Sequence, residues 1–347
     1  MHHPENPIAA FDSLASSERP FFAFRLPNEE YVTLGSGKII GPSEFNYQNE
    51  AFVIAPFSPS EPVNIIIPEI SFQTPQILPP SLPAIESIEN SISEKEYVKN
   101  LDSLIQILKK RGGKTVIART IEAKSSISSI GTLFHALCKK YPQSYIYCWK
   151  IHSNKFWIGS VPELLLKISG NRIESMSLAG TMKSSSNEEW DKKNLEEQKI
   201  VTDFIADTFR NNSLTPNISL PQDKYAGPVK HLCSSISSSI SSATFDILSF
   251  ASKLSPTPAV CGFPRDTAMT EIRIFENMER NFYGGYSGPI YNRKKAFLFV
   301  TLRCMTVEPS IGLIRLYVGG GITAQSNPEL EWNETCMKAT TLLSVFK

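Results

Sequence analysis

Strand-forming segments stand in groups between the helical segments of this chain and do not alternate with them one for one. Four apolar segments follow one another with no helical pattern between them, at residues 144–151, 155–160, 163–168 and 172–178. A second group of strands lies later in the chain, at residues 285–291, 296–305 and 312–318. Strict alternation of strand and helix is the order that builds a parallel sheet. The grouped order therefore predicts an α+β fold.

Four helices are predicted around these groups, at residues 93–110, 188–210, 265–281 and 328–343. In the first helix the apolar residues recur every three or four positions, at Tyr97, Leu101, Leu104, Ile105 and Leu108. Ser93 and Glu96 have the spacing of a capping box at its start. At the last helix, Asn327 can cap the first turn and Pro328 suits the first helical position.

The remaining segments have weaker signals. Residues 21–40 predict two strands around a Pro-Asn turn, followed by a further turn at Gly35-Ser36-Gly37. Prolines cluster between residues 56 and 83, which predicts an extended, irregular segment. Residues 114–121 predict another strand, and the serine-rich stretch 233–242 is expected to be ordered because isoleucines recur in it.

Composition excludes several classes of protein. The 35 basic and 34 acidic residues leave a net charge of +1, which gives no basic field for nucleic acid or an anionic membrane. No apolar run is long enough to span a bilayer, and the first residues lack the pattern of a secretory signal. The six cysteines have no CxxC pair, so we expect buried free thiols and no disulfide or zinc scaffold. A cytoplasmic globular protein is expected.

Glu197 lies on the apolar face of the predicted helix 188–210. Val201, Phe204 and Ile205 follow it by four, seven and eight residues and so share its face. A carboxylate on such a face needs a partner, because burying a lone charge is costly. The pattern fits two interpretations: the Glu197 carboxylate reaches water or a lysine, or it binds a metal.

Glu331 and Glu334 stand near the start of the last predicted helix, and Lys338 follows Glu334 by four residues. A surface salt bridge between Glu334 and Lys338 is one interpretation. The other is that both glutamates face inward, where carboxylate oxygens suit a hard cation such as Mg²⁺. The spacing does not decide between them.

Two further features suit the binding of an anion. The run Gly319-Gly320-Gly321 allows a ligand to approach the backbone closely, although a plain bend is favoured by the pattern alone. Arg303 ends an apolar run, where it either reaches solvent or binds a carboxylate in a bidentate manner. Asp191 and His231 carry no comparable signal, and a structural role suits His231 equally well.

Nine stretches taken together resemble the chorismate-utilising enzymes, and within them the isochorismate synthases. In chain order they are GGKTVIAR, VPELLLKI, SLAGT, KNLEEQKIV, KHL, LSPTPAVCGFPRDTA, ERNFYGGYSGP, TLRCM and LYVGGGITAQSNPELEWNETCMK. The most specific are the last two and SPTPAVCGFP. Residues 1–92 match loosely and are predicted to be a variable flank, with strands and a proline-rich segment packed on the same fold. Residues 93–347 are predicted to be the chorismate-binding catalytic region.

The resemblance implies a role for each matching residue. Lys114 matches the general base that activates water, and Glu163 matches the general acid that protonates the departing hydroxyl. Glu197 and Glu334 match the two Mg²⁺ ligands, with Glu331 close by. The implied substrate-binding residues are Gly180, Thr181, His231, Ala259, Tyr283, Arg303, Gly319, Gly321 and Lys338.

The resemblance also implies a fold and a reaction. The expected fold is a single domain of two packed antiparallel-rich β-sheets flanked by helices, similar to anthranilate and aminodeoxychorismate synthases. Water would add at C2 of chorismate and the C4 hydroxyl would leave, with Mg²⁺ as cofactor. No glutaminase subunit is implied, and a monomer or weak homodimer is expected. Menaquinone biosynthesis is the expected pathway, with siderophore biosynthesis as the alternative.

Some positions depart from the family pattern or are shared with a related activity. Lys193-Asn194-Leu195 stands where the family often has Lys-Asp-Arg, and Ser255 stands where a histidine is common. Leu302 together with Tyr283 also occurs in the salicylate synthases, which go on to eliminate pyruvate. Ala259, where those relatives usually have threonine, favours isochorismate as the product.

Two more activities fit the residues less well. An aminating relative, which makes anthranilate or aminodeoxychorismate, would lack Lys114. A catalytically inactive homologue that only binds chorismate is disfavoured because Lys114, Glu163, Glu197 and Glu334 are all present.

Overall fold

The computed structural model of the chain describes residues 6–226, 229–241 and 243–346. Within them the α-helices are α1 (Pro7–Ser16), α2 (Glu94–Arg111), α3 (Ile130–Lys140), α4 (Lys192–Asn211), α5 (Ile247–Leu254), α6 (Arg265–Phe275) and α7 (Pro328–Leu343). The strands are β1 (Phe21–Arg25), β2 (Tyr31–Ile40), β3 (Ala51–Ala55), β4 (Asn64–Pro75), β5 (Ser87–Asn90), β6 (Lys114–Lys124), β7 (Tyr145–Lys150), β8 (Phe156–Val161), β9 (Leu164–Ser169), β10 (Arg172–Lys183), β11 (Asn217–Ile218), β12 (Gln222–Ala226), β13 (Val229–Ser239), β14 (Gly262–Phe263), β15 (Tyr286–Asn292), β16 (Lys295–Val300), β17 (Cys304–Glu308) and β18 (Leu313–Thr323).

The strands form one continuous antiparallel path that divides into two halves. The first half pairs in the order β13, β10, β9, β16, β15, β3. The second half pairs in the order β1, β7, β8, β17, β18, β6. The long strands β2 and β4 join them, because β4 pairs with β3 and β2 pairs with β1. Short strands extend the two ends, with β11 and β12 on β13 and β5 and β14 on β6.

The two halves pack face to face, and helices cover their outer faces. Tyr145 of β7 stacks on Phe299 of β16 with ring centroids 4.2 Å apart, which places aromatic side chains between the halves. Side chains alternate along a strand, so Phe22 of β1 joins this inner layer while Phe21 packs outward with α1 and α3. Helices α4 and α5 pack on the outer face of the first half. The predicted α+β fold, antiparallel and flanked by helices, is confirmed, and the two predicted sheets are the packed halves of one large sheet that β2 and β4 join.

Most predicted elements are present. Helix α2 begins one residue after Ser93, whose hydroxyl accepts a hydrogen bond from the Glu96 amide. The serine-rich stretch forms most of β13, although its last residue, 242, lies outside the described residues. Helix α4 begins later than predicted because Asp191 caps it, and α6 stops at Phe275. The predicted boundary at residue 92 stays a prediction.

Local patterns gave the wrong structure in the first third of the chain. Gly35-Ser36-Gly37 is not a turn but lies inside β2, where a bulge follows Ser36. The proline-rich segment contains the long strand β4, which pairs with β2 along its length. Pro68 sits at the bulge of this pairing, a position where proline is tolerated in a sheet.

Two predictions near the C-terminus are also corrected. The predicted strand 296–305 is two strands, β16 and β17, because the chain crosses from one half to the other at residues 301–303. The glycine run 319–321 is not a bend but continues β18, paired with β6.

The six cysteines are free thiols, four buried and two half-buried, as expected. Among the described residues no helix is both long and apolar enough to cross a membrane.

Phe52 tests the contact between the two halves. Its ring is fully buried and stacks on Phe22 with centroids 4.7 Å apart. Phe52→Ala is expected to lower the free energy of unfolding by about 3–5 kcal/mol, because it leaves a cavity in this layer. Chemical denaturation measures the change, with Ile311→Ala at an exposed site as the control. A loss at Phe52 no larger than that of the control would contradict this packing.

Candidate active site

One cavity gathers most of the residues singled out in the sequence. It has an empty volume of about 870 Å³ and lies between strands β10, β13 and β18 and helices α4 and α7. The predicted residues that line it are Glu163, Gly180, Thr181, Glu197, His231, Ala259, Tyr283, Arg303, Gly319, Gly321, Glu334 and Lys338. The two predicted residues outside this lining are Lys114 and Glu331. Both contact it or its entrance, as described below.

Lys114 lies directly behind the cavity wall. It is the first residue of β6 and is completely buried. Its Nζ donates a hydrogen bond to Oε1 of Glu197 at 2.6 Å. A Cβ atom at Gly321 would lie 2.5 Å from the same carboxylate oxygen, so any other residue there would displace the Glu197 carboxylate from its present position. The glycine run therefore brings β18 close to a lysine–glutamate ion pair.

An outer cleft of about 1010 Å³ adjoins the cavity. Thr181, Glu197, Gly321 and Glu334 line both spaces, so they form the passage between them. Glu331 lines only the outer cleft and is 2% exposed. The interpretation of Glu331 and Glu334 as inward-facing residues is thus the one that the structure supports.

Each of the three glutamates that line the outer cleft is paired with its own lysine. Glu197 pairs with Lys114 at 2.6 Å, Glu334 with Lys338 at 2.7 Å, and Glu331 with Lys193 at 2.6 Å. The predicted i, i+4 bridge between Glu334 and Lys338 is present, but both side chains line the cavity.

The pKa values of two of these glutamates shift in opposite directions. Burial and the charge of Glu334 raise the pKa of Glu331. Burial opposes ionisation of Glu334 too, but Lys338, with the charges of Lys193 and Lys114, outweighs it and lowers the Glu334 pKa.

The donor chemistry at the passage suits a hard cation. Three carboxylates from α4 and α7 line the outer cleft, two of them at the passage, and Oε2 of Glu331 is buried with no hydrogen-bond partner in the described part of the chain. Over the same residues, no three His, Cys, Asp or Glu side chains are already arranged as a metal site. The lysines hold the carboxylates, so a cation would have to compete with them. Mg²⁺ binding by Glu197, Glu331 and Glu334 stays a prediction.

Glu163 has a different environment from these three glutamates. It follows β8, is 3% exposed, and forms no ion pair within the described residues. Burial raises the pKa of its carboxyl to about 7, although Lys114 and Arg303 oppose this rise. A carboxyl of this kind can hold a proton near neutral pH.

Cationic groups are placed around the same cavity. Arg303 lies in the crossing between β16 and β17 with φ of 44°, and burial lowers its pKa to about 10. Nζ of Lys338 donates a hydrogen bond to the carbonyl of Gly319 at 2.8 Å. The cavity therefore combines positive charge with a buried acid, which suits a small anionic ligand.

The sequence did not reveal two residues that line the outer cleft, or a lysine outside both spaces whose charge acts on Glu163. Lys193 reaches across the outer cleft to Glu331, and Oδ1 of Asn194 accepts a hydrogen bond from the Thr181 amide at 3.0 Å. Lys224 is half-buried, and burial lowers its pKa although the charge of Glu163 opposes this. Asp191 caps α4 by accepting a hydrogen bond from the Asn194 amide, and an aspartate at this spacing could have drawn attention to Asn194. The partners of Lys193 and Asn194 lie too far along the chain to be read from spacing.

Comparison with known proteins identifies the family of the chain. A family profile described as chorismate binding enzyme matches residues 68–347. The chain therefore belongs to the family of chorismate-binding enzymes.

Individual relatives are more specific. The vibriobactin-specific isochorismate synthase of Vibrio cholerae is 28% identical over 84% of this chain and 78% of its own length. The structure of MenF, the menaquinone-specific isochorismate synthase from Escherichia coli, superposes with a TM-score of 0.83 at 20% identity, over 99% of this chain and 93% of that one. Anthranilate synthase component I from Streptococcus pneumoniae superposes with a TM-score of 0.71 at 13% identity, over 94% and 92%. The last two likenesses establish the fold.

The raised pKa of Glu163 predicts how stability depends on pH. Its carboxyl binds a proton up to about pH 7 when folded, but only to about 4.5 when unfolded. The contribution of Glu163 to the free energy of unfolding therefore falls by up to about 3 kcal/mol as the pH rises from 4.5 through 7. Glu163→Gln is expected to be more stable than the wild type at pH 8, with a smaller difference at pH 5.

Thermal denaturation at both pH values measures this effect. The exposed Glu61→Gln is the matched control and should show no such dependence. If Glu163→Gln and the wild type differ in thermal stability by the same amount at both pH values, the raised pKa of Glu163 is contradicted.

Proposed function

We propose that the protein is an isochorismate synthase that needs Mg²⁺ and converts chorismate to isochorismate. Water adds at C2 of the ring, and the hydroxyl at C4 leaves. The observation that carries the proposal is the single cavity that holds Glu163, Arg303 and Lys338 together, with Lys114 and Glu197 at its wall. These are the residue types that a hydroxyl exchange on a dianionic substrate requires.

Substrate binding follows from charge. Chorismate carries two carboxylates, so the site needs cations and backbone amides. Arg303 can bind a carboxylate through two parallel N–H groups. Lys338 supplies a point charge, and the strand at Gly319 and Gly321 has no side chain to keep the substrate away.

Proton transfer follows from the two environments described above. Lys114 acts in its neutral amine form as the base that takes a proton from water, so its ammonium group must first leave Glu197 and lose a proton. Glu163 acts as the acid that protonates the departing hydroxyl, because its pKa of about 7 leaves it partly protonated at neutral pH. Mg²⁺, held by Glu197 and Glu334 with Glu331 nearby, would neutralise a substrate carboxylate and withdraw electrons from the ring.

The fate of the product belongs to the same proposal. We propose a role in menaquinone synthesis and action as a monomer or weak homodimer, without a glutaminase subunit. A siderophore role is the alternative, which the vibriobactin-specific relative favours. The protein can be expressed in two strains that lack their own isochorismate synthase, one deficient in menaquinone and one in a siderophore. The strain whose growth it restores identifies the pathway.

Turnover of chorismate is the direct test. The purified protein is expected to form isochorismate when it is incubated with chorismate and Mg²⁺. Chromatography measures the product. Salicylate and pyruvate would instead identify a salicylate synthase, in which Tyr283 and Leu302 serve the same cavity. Binding of chorismate without turnover would identify an inactive homologue, and either result contradicts the proposal.

Variants of the acid and the base sharpen this test. Lys114→Ala and Glu163→Gln are each expected to lose roughly 10²–10⁴-fold in kcat, the usual contribution of a general acid or base. Both should still bind Mg²⁺. Wild-type turnover in either variant would refute the role of that residue.

The metal ligands have a separate signature. Glu197→Ala and Glu334→Ala are expected to raise the Mg²⁺ concentration needed for half-maximal activity by at least about tenfold, since each removes a carboxylate ligand. Lys199→Ala, on the exposed side of α4, is the control. Direct Mg²⁺ binding by calorimetry should change in parallel, and an unchanged Mg²⁺ affinity would count against the ligand pair.

A further inference from the structure

His231 lies between two groups of the candidate site and contacts both. It is on β13, is 7% exposed, and lines the cavity. Its Nδ1 lies 2.7 Å from the carbonyl oxygen of Gly180, and its Nε2 lies 2.6 Å from Nη2 of Arg303. Both distances are those of hydrogen bonds.

The chemistry of these two partners determines the form of the imidazole. A carbonyl oxygen only accepts hydrogen bonds, so Nδ1 of His231 must carry a proton. A guanidinium only donates, so Nε2 must offer its lone pair. The neutral Nδ1–H tautomer is the one form that satisfies both contacts. Burial and the charge of Arg303 favour the neutral ring and lower the His231 pKa to about 3, with Lys338 adding to this and Glu197 opposing it.

Each end of this short chain of hydrogen bonds is anchored. The carbonyl of Arg303 accepts a hydrogen bond from the Ser160 amide at 3.2 Å, which fixes its backbone at the crossing between the sheets. At the other end, Gly180 has φ of 71°, and the amide of the next residue, Thr181, is bonded to Asn194. Asn194 is in turn held by Asp191 at the start of α4. His231 thus connects Arg303 to the helix that carries Glu197.

A long arginine side chain needs such support to act with precision. Bidentate binding of a carboxylate requires the plane of the guanidinium to be fixed. We propose that His231 is a positioning residue, which as a neutral Nδ1–H imidazole orients the Arg303 guanidinium toward a carboxylate of the substrate and does not itself bind the substrate. The identity of that substrate as chorismate rests on the proposed function.

The tautomer can be measured without any substrate. In protein labelled with ¹⁵N-histidine, His231 is expected to show a protonated Nδ1 and an unprotonated Nε2 throughout pH 5.5–8. Its signals are identified by their loss in His231→Phe. An Nε2–H tautomer or an imidazolium at pH 7 would overturn the proposal.

A double-mutant cycle separates positioning from direct binding. His231→Phe keeps a ring of similar size but removes both nitrogens, and should weaken chorismate binding, measured by calorimetry, by about tenfold or more. If His231 acts through Arg303, the same change in an Arg303→Ala background should weaken binding by less than about twofold further. An equal loss in both backgrounds overturns the proposal.

Two more variants make this cycle decisive. His231→Gln has a donor and an acceptor on one side chain, so its affinity for chorismate should lie between those of the wild type and His231→Phe. If His231→Phe does not fold, His231→Gln takes its place in the cycle. His152→Phe, in an exposed loop, is the matched control and should bind as the wild type does. Failure of the wild type to turn over chorismate would count against the proposed function, whereas the tautomer decides the role of His231 independently.

Discussion

Lys114 is completely buried, and its ammonium group is balanced by Glu197, a residue 83 positions later in the chain. An unpaired buried charge is costly, so loss of one partner from such a pair typically removes about 3–5 kcal/mol. The first residue of β6 and the face of α4 are therefore held in one relative position. Lys193 and Glu331 connect α4 to α7 in the same way. The arrangement of the site is thus part of what holds the helices on the sheets.

The ion pair in turn accounts for Gly321, the last residue of the glycine run in β18. At Gly321 a Cβ atom would displace Oε1 of Glu197 from its ion pair, and the backbone there remains paired with β6. The pattern of residues alone favoured a bend, because three glycines weaken a strand. Whether they bend is decided by the partner strand, which lies far earlier in the chain. The local pattern could not supply that information.

The same distinction separates what could be predicted from what could not. Helices α2 and α7 and their caps at Ser93 and Asn327 follow from local spacing, and the structure contains them. Most of the candidate site followed from stretches that resemble a known family. Lys193 and Asn194 escaped notice because their partners are in distant segments, and a lysine or asparagine at the start of a helix is common. The break before Arg303 was hidden because residues 296–305 are mostly apolar.

The cavity contains two kinds of carboxyl group, and their environments divide the chemistry. Glu334 lies beside Lys338, which lowers its pKa and keeps it ionised, as a metal ligand must be. Glu163 has no paired cation among the described residues, and burial raises its pKa to about 7, as a proton donor requires. Natural sequences give up stability at functional sites in this manner. The unpaired state of Glu163 has no structural benefit above pH 7, and the proton transfer proposed for it would account for this difference from the three lysine-paired glutamates.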